Sequence, residues 1–250
     1  MSVVLILGAK SDIAQACALT FLKKNYSLIL AARKVERLKE WQKDMASQYD
    51  GTIDLVEFDA CDFESHRETY RSLPKKPDIA LICFGYLGYY SDCTEDFSES
   101  KRIIEVNFTG AVSICNIIAH DFKQRDKVTT IIGVSSVAGD RGRKGNYIYG
   151  STKAAFQTYL SGLRQHLFPH NVHVIDVRPG FIQTPMTAHV KAPRLLTSTS
   201  DVVAKDIWKA FERKKDVLYT PWFWKYIMLI VKSIPGFVFK RIQLNYLKKK

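Results

Sequence analysis

Tyr149 and Lys153 stand four residues apart in the run Gly145 to Lys153, and Ser136 lies thirteen residues before the tyrosine, just past the apolar run Val128 to Val134. Positions i and i+4 of a helix share a face, so the phenol and the ammonium can reach one reacting centre. A cation held near a phenol favours phenolate and draws the tyrosine pKa down from about 10 toward working pH. Such a tyrosine is a general acid for carbonyl chemistry. The same spacing also occurs in an ordinary solvated helix pair, so its meaning rests on what positions it.

Seven short apolar runs read as strands: Val3 to Leu7, Ser27 to Ala32, Ile53 to Phe58, Ile79 to Phe84, Val128 to Val134, Val172 to Val177 and Val217 to Tyr219. Amphipathic stretches near residues 12–24, 34–48, 62–73, 95–122, 147–168 and 201–213 fall between them. This alternation predicts an α/β fold, a Rossmann-type doubly wound parallel sheet of about seven strands flanked by helices. A chain of 250 residues with 46% hydrophobic content suits one large core, expected over 1–220. Residues 185–200 are polar, carry two prolines and read as a lid-like substrate loop.

The cysteines Cys17, Cys61, Cys83, Cys93 and Cys115 form no C-x-x-C pair and mostly sit in apolar stretches, which fits free thiols in a reducing cytosol. No export leader is apparent, so a cytoplasmic location is expected. The net charge of +12 is uneven, since residues 205–250 hold twelve Lys and Arg against three Asp and Glu. Within the extension 221–250, Trp222 to Ile242 mixes aromatics and aliphatics with Lys225, Lys232 and Pro235. It is too short and too charged to span a bilayer, which takes about 20 apolar residues. It suits an interfacial element, with Lys240, Arg241 and Lys248 to Lys250 drawn to anionic lipid on the inner membrane face. The other reading is a last helix buried against the sheet or a subunit. No nucleic-acid module accompanies the basic residues. The scattered histidines suggest no metal site, and His189 stands out only because it lies in the lid-like loop.

Gly8-Ala-Lys-Ser-Asp-Ile-Ala14 follows the first strand and opens the first helix, where a glycine turn lets backbone amides meet a pyrophosphate. Asp12 and Ala14 stand where a dinucleotide fingerprint carries glycine, so any tight turn is an open alternative. Asp12 would bring a carboxylate to the phosphates unless it caps the helix. At the end of the second strand an NAD site carries an acidic residue, whereas here Arg33, with Lys10, suits the 2′-phosphate of NADP. Arg33 stacked on adenine would still accept NAD.

Taken in order, these pieces resemble the classical short-chain dehydrogenases/reductases over nearly the whole chain. The resemblance is carried by the Gly8 turn, Asp59, Gly85, Asn107 in Glu105-Val-Asn-Phe-Thr-Gly110, Ser136, Tyr149, Lys153, and Arg178-Pro-Gly180 followed by Thr184. The chain departs from the family at Ile82-Cys-Phe-Gly85, where Asn-Asn-Ala-Gly is usual, and at the missing turn glycines. The resemblance implies that Tyr149 protonates the substrate oxygen as hydride arrives, that Lys153 binds ribose and depresses the tyrosine pKa, and that Ser136 holds the carbonyl oxygen. It implies a water held at Asn107 linking the lysine to solvent; the alternative is an Asn satisfying backbone groups in a helix break. For the cofactor it implies Gly8, Lys10, Ser11, Asp12, Ile13, Asp59, Ala60, Gly85, Tyr149, Lys153, Pro179, Gly180, Ile182 and Thr184. Asp59 as a helix N-cap stays open. A homo-oligomer is implied as well.

Ala80 to Gly88, Val137 to Lys144, Met186 to Lys191 and Pro221 to Ile242 further resemble reductases of decaprenylphosphoryl keto-pentose, which help to make arabinosyl donors for mycobacterial walls. That implies a lipid-linked or hydrophobic carbonyl substrate. Arg141, Arg143 and Lys144, between the serine and the tyrosine, would meet its phosphate, although a solvated loop explains them equally. A soluble or steroid-like ketone is an alternative substrate, and a nucleotide-binding protein without turnover is the alternative of another class.

Overall fold

The computed structural model describes residues 1–88, 97–187 and 193–242. Its strands are β1 (Val3–Leu7), β2 (Ser27–Ala32), β3 (Ile53–Glu57), β4 (Ile79–Ile82), β5 (Thr129–Val134), β6 (Val172–Pro179), β7 (Phe181–Ile182), β8 (Thr197–Ser198) and β9 (Val217–Thr220). The helices are α1 (Asp12–Leu22), α2 (Lys39–Gln48), α3 (His66–Arg71), α4 (Phe97–Ile104), α5 (Gly110–Phe122), α6 (Tyr147–Leu167), α7 (Ser200–Glu212), α8 (Trp224–Ser233) and α9 (Gly236–Phe239). Seven strands form one parallel sheet in the order β3-β2-β1-β4-β5-β6-β9.

Strands such as β1, β2 and β5 read as unbroken apolar runs because both sheet faces are covered. Successive residues point to opposite faces, so Val4 and Ile6 join Phe21 and Ile207 in one core layer, while Val3, Leu5 and Leu7 join Ile114, Phe122 and Leu160 in the other. Strand order reverses between β1 and β4. A crevice opens there at the carboxyl ends of the strands, the place where open α/β sheets bind ligands.

The long helix expected over 95–122 is interrupted. A single π turn at Glu105–Thr109 separates α4 from α5, and Gly110 is needed after it because a Cβ there would lie 2.0 Å from the Ala60 carbonyl oxygen. The stretch Phe97–Phe122 is long and apolar enough to cross a bilayer, yet Ile103, Ile114, Ile118 and Phe122 are buried in the fold. Strand β4 stops at Ile82, two residues before the expected end, which frees Cys83, Phe84 and Gly85 to line the crevice.

The loop at 185–200 carries short turns at Pro185–Thr187 and Arg194–Leu196, and β8 pairs with β7 to form a second small sheet. His189 and Cys93 lie outside the described residues. In the tail, one side of α8 is buried as the second reading expected: Trp224 and Met228 pack with Val137 and against Phe181 and Leu196. Its other side is exposed.

Candidate active site

Gly8 adopts φ of +88°, and a Cβ there would sit 2.5 Å from the Phe84 nitrogen and 2.7 Å from its Cα. Only glycine permits both the conformation and this approach of the β1 turn to the chain leaving β4. The helix that follows is capped by Ser11, whose Oγ accepts from the Ala14 amide at 3.2 Å. Asp12 therefore does not cap α1. It occupies the first turn, where the helix dipole favours a carboxylate. Ala14, in a glycine position of the fingerprint, is fully buried, which a single methyl group allows.

Two adjoining cavities of about 300 and 260 Å³ run from this turn along the crevice. Gly8, Lys10, Ser11, Arg33, Asp59, Ala60 and Gly85 line the first. Lys10, Ser11, Asp12, Ile13, Gly85, Ser136, Tyr149, Lys153, Pro179, Gly180, Ile182 and Thr184 line the second. Every cofactor residue expected from the sequence thus borders one continuous cleft.

At the outer end, Arg33 Nη1 lies 3.9 Å from Asp59 Oδ2, with both side chains well exposed. A pair so open to water contributes little, so the guanidinium is available to a stronger anion. Asp59 is not a helix N-cap: its Oδ1 accepts from the Cys61 amide at 3.0 Å, and α3 begins only at His66. His66 is a satisfied core histidine, with Nε2 2.9 Å from the Asp59 carbonyl and Nδ1 2.9 Å from Ser113 Oγ. It holds the Asp59 turn against α5.

The inner end is built differently. Ser136 leaves β5 in extended conformation and accepts from the Ala138 amide at 3.1 Å, while its carbonyl takes a hydrogen bond from Gln157 Nε2 at 2.7 Å. The Ser135 hydroxyl is engaged by Asp176 Oδ1 at 2.5 Å and the Val177 carbonyl at 3.0 Å, whereas, among the described residues, the Ser136 hydroxyl accepts only from the Ala138 amide. Asp176 also accepts from Arg178 Nε at 2.7 Å, and Arg178 Nη1 reaches Asp140 and the Tyr219 hydroxyl at 2.9 Å each. This buried ionic network backs the serine loop.

Tyr149 and Ser136 line the same cavity. Burial pushes the phenol up to about 12, and the hydrogen bond with Ser136 works in the opposite direction. Lys153 is buried, donates to the Val134 carbonyl at 3.1 Å, and lies 5.7 Å from the centroid of the Tyr149 ring. Burial draws the ammonium down to about 8, opposed by Cys83 and Asp176. The Lys153 ammonium is directed to the Val134 carbonyl, with the Tyr149 ring beside it.

Asn107 is buried in the π turn, and its amide is spent on one residue: Oδ1 accepts from the Tyr86 amide at 2.9 Å and Nδ2 donates to the Tyr86 carbonyl at 2.7 Å. This is the backbone-satisfying role in a helix break. The effect on the site passes through Gly85, where a Cβ would lie 3.1 Å from Asn107 Oδ1 and 3.5 Å from Lys153 Nζ. Asn107 thus holds the cleft wall against the lysine.

The basic loop is not brought to the reacting centre as a unit. Arg141 Nη1 donates to the carbonyls of Val231, Lys232 and Ile234 at 2.7, 3.0 and 2.6 Å, so its guanidinium serves the end of α8 and not a substrate phosphate. Arg143 is half-buried, Lys144 is exposed, and neither lines the two cavities. Among the lining residues that went unanticipated are Cys83, Phe84, Met186 and Arg102. The first two sit in the stretch whose departure from the family was visible. Gln157 also had a signal, being one more step of four residues along the Tyr149 and Lys153 face.

The family model for short chain dehydrogenase matches residues 2–195. An uncharacterized oxidoreductase of Mycobacterium tuberculosis is 28% identical over 242 residues, covering 96% of each chain. One from Streptomyces coelicolor is 30% identical over 242 residues, covering 95% of this chain and 94% of its own. The structure of a short-chain dehydrogenase from Sphingobium yanoikuyae, in complex with NADPH, superposes with a TM-score of 0.81 at 22% identity, covering 94% of this chain and 97% of that one. With a capped glycine turn at one end of the cleft and a serine, a tyrosine and a lysine at the other, the chain belongs to the short-chain dehydrogenases, oxidoreductases that act between carbonyl and CH–OH groups.

Proposed function

We propose that the protein reduces a ketone to a secondary alcohol with NADPH, and that its substrate is a keto-sugar carried on a polyprenyl phosphate. The observation that carries the reduction is that Ser136, Tyr149 and Lys153 line one cavity together with Pro179, Gly180 and Thr184 of the cofactor cleft. NADPH, when bound, supplies the hydride to the carbonyl carbon. Ser136 holds the carbonyl oxygen and Tyr149 delivers the proton that completes the alcohol. The Gly8 turn and the Ser11-capped start of α1 suit a pyrophosphate, and Lys10 with Arg33 suits a 2′-phosphate. NADH fits the same cleft less well because Arg33 then lacks its anion.

The lipid carrier is supported by three observations. Local strings resemble the keto-pentose reductases, Lys144 is an exposed cation on the loop after the serine, and Trp222 is exposed together with Tyr226, Leu229 and Ile230 on the outer side of α8. A tail of this kind rests in the interface of the inner membrane face and keeps the enzyme cytoplasmic and peripheral. An open groove along α6, lined by Phe108, Tyr159, Leu163 and His166, supports association with a second copy. The test is a turnover screen with NADPH and NADH over polyprenyl-phosphate keto-sugars and soluble ketones. Turnover of soluble ketones alone would remove the lipid carrier, and none with any ketone would remove the reductase.

A further inference from the structure

Helix α8 carries apolar side chains on both its inner and its outer side, with Lys225 and Lys232 between them. Trp224, Met228, Ile227 and Val231 belong to the inner cluster with Val137 and Phe181, whereas Trp222, Tyr226, Leu229 and Ile230 are 57% to 70% exposed. A helix of that composition is ordinarily covered on both sides. No Asp or Glu follows Asp216 in the sequence, and Lys225, Lys232, Lys240 and Arg241 are all exposed. A second copy bound isologously would set these cations against one another, whereas an anionic bilayer attracts them and takes up the aromatic and aliphatic side chains.

The inner side of the same helix reaches the catalytic serine. Val137, the next residue after Ser136, packs on Trp224 and Met228. Arg141 caps three carbonyls at the end of α8, where a helix has no amides of its own to offer and where a cation suits the dipole. Its guanidinium also lies 3.9 Å from the centroid of the Phe239 ring in α9.

We propose that Arg141 is a positioning residue that ties α8 to the Ser136 loop, so that an anionic lipid surface covering the outer side of α8 steadies the catalytic serine. This rests on the reading of the tail as an interfacial element. Alone, a helix of ten residues is marginal in water, so α8 keeps its place through the inner cluster and Arg141. Lipid that binds only the docked helix raises the population of that state by linkage. Because the inward and outward side chains are different residues, docking on the domain and docking on lipid are compatible.

The experiment is backbone amide exchange by mass spectrometry on the full-length protein, with vesicles of phosphatidylcholine alone or with phosphatidylglycerol. Cosedimentation is expected with the anionic vesicles only, and exchange is expected to slow roughly tenfold in both 222–234 and 136–141. In Arg141→Ala the tail still gains protection while 136–141 does not, and Arg141→Lys restores part of it. Should Arg141→Ala fail to fold, Ile230→Glu at its exposed position removes cosedimentation and both protections together. Absence of cosedimentation, protection confined to the tail of the unaltered protein, protection still reaching 136–141 in Arg141→Ala, or a tail-covered dimer in vesicle-free sedimentation would each overturn the proposal. Exchange needs no turnover, so a protein inert toward every ketone can still pass this test, and a reductase can fail it.

Discussion

The two ends of the cleft are made from different materials. At the outer end Arg33, Lys10 and Asp59 are exposed charges with loose pairing, and a ligand must organise them. At the inner end Ser135, Gln157, Asp176, Arg178, Asp140 and Tyr219 form a buried hydrogen-bonded network, finished before any ligand arrives. The difference follows from the tasks. Cofactor binding tolerates side chains that rearrange, since the ligand's own charge repays the ordering. Proton delivery requires groups already in register, and a water-free surround makes each of them count for more.

The largest effect that would sharpen this contrast comes from Tyr149→Phe. It removes one oxygen at the finished end, so kcat should fall by roughly 10²–10⁴-fold while NADPH affinity, measured by fluorescence titration, stays near its original value. A comparable loss of affinity would show that the two ends are not independent. Next comes Asp176→Asn, which leaves Arg178 with Asp140 as its remaining carboxylate. Breaking a buried pair in this way should destabilise the protein by about 3 kcal/mol in urea unfolding, and an unchanged midpoint would dissolve the picture of a pre-built end.

A smaller effect is expected at the outer end. Arg33→Ala should weaken NADPH binding by roughly tenfold to a hundredfold and leave NADH unaffected. Equal losses for both would assign Arg33 to adenine stacking. The last is a pH effect from Lys153, which burial lowers from 10.5 to about 8. Between those values the unfolded chain binds more protons than the folded one, so this residue adds stability as pH rises from about 8 to 10.5 and costs it below that window. Lys153→Met should therefore be more stable than the parent at pH 7, by no more than about 3 kcal/mol, with the advantage shrinking toward pH 10.5 in thermal melts.

Legibility from sequence followed the range of the interactions. The apolar runs announced the sheet because burial on both faces needs only local composition, and the Tyr149 and Lys153 spacing was local too. Gly8 was readable since a glycine turn after a strand has few other uses. Arg141 was not readable in the same way: its partners lie ninety or more residues downstream, and nothing near it marks it as a helix cap. The π turn was hidden for a related reason. It carries a contact between Asn107 and Tyr86 across 21 residues, which no periodicity within the helix reveals.

Gly180 carries a consequence for where this domain ends. A Cβ on that residue would lie 1.8 Å from the Trp224 indole nitrogen, so the cleft wall and the tail helix are shaped to each other. The boundary in composition that the sequence suggested after residue 220 is thus crossed by a close contact. A protein ending at Pro221 would lose the indole that supports the Pro179–Gly180 turn, and with it part of the wall lining the reacting centre. Any family member that trades Trp224 for a smaller residue has room for a side chain at position 180, and the two positions are expected to change together or not at all.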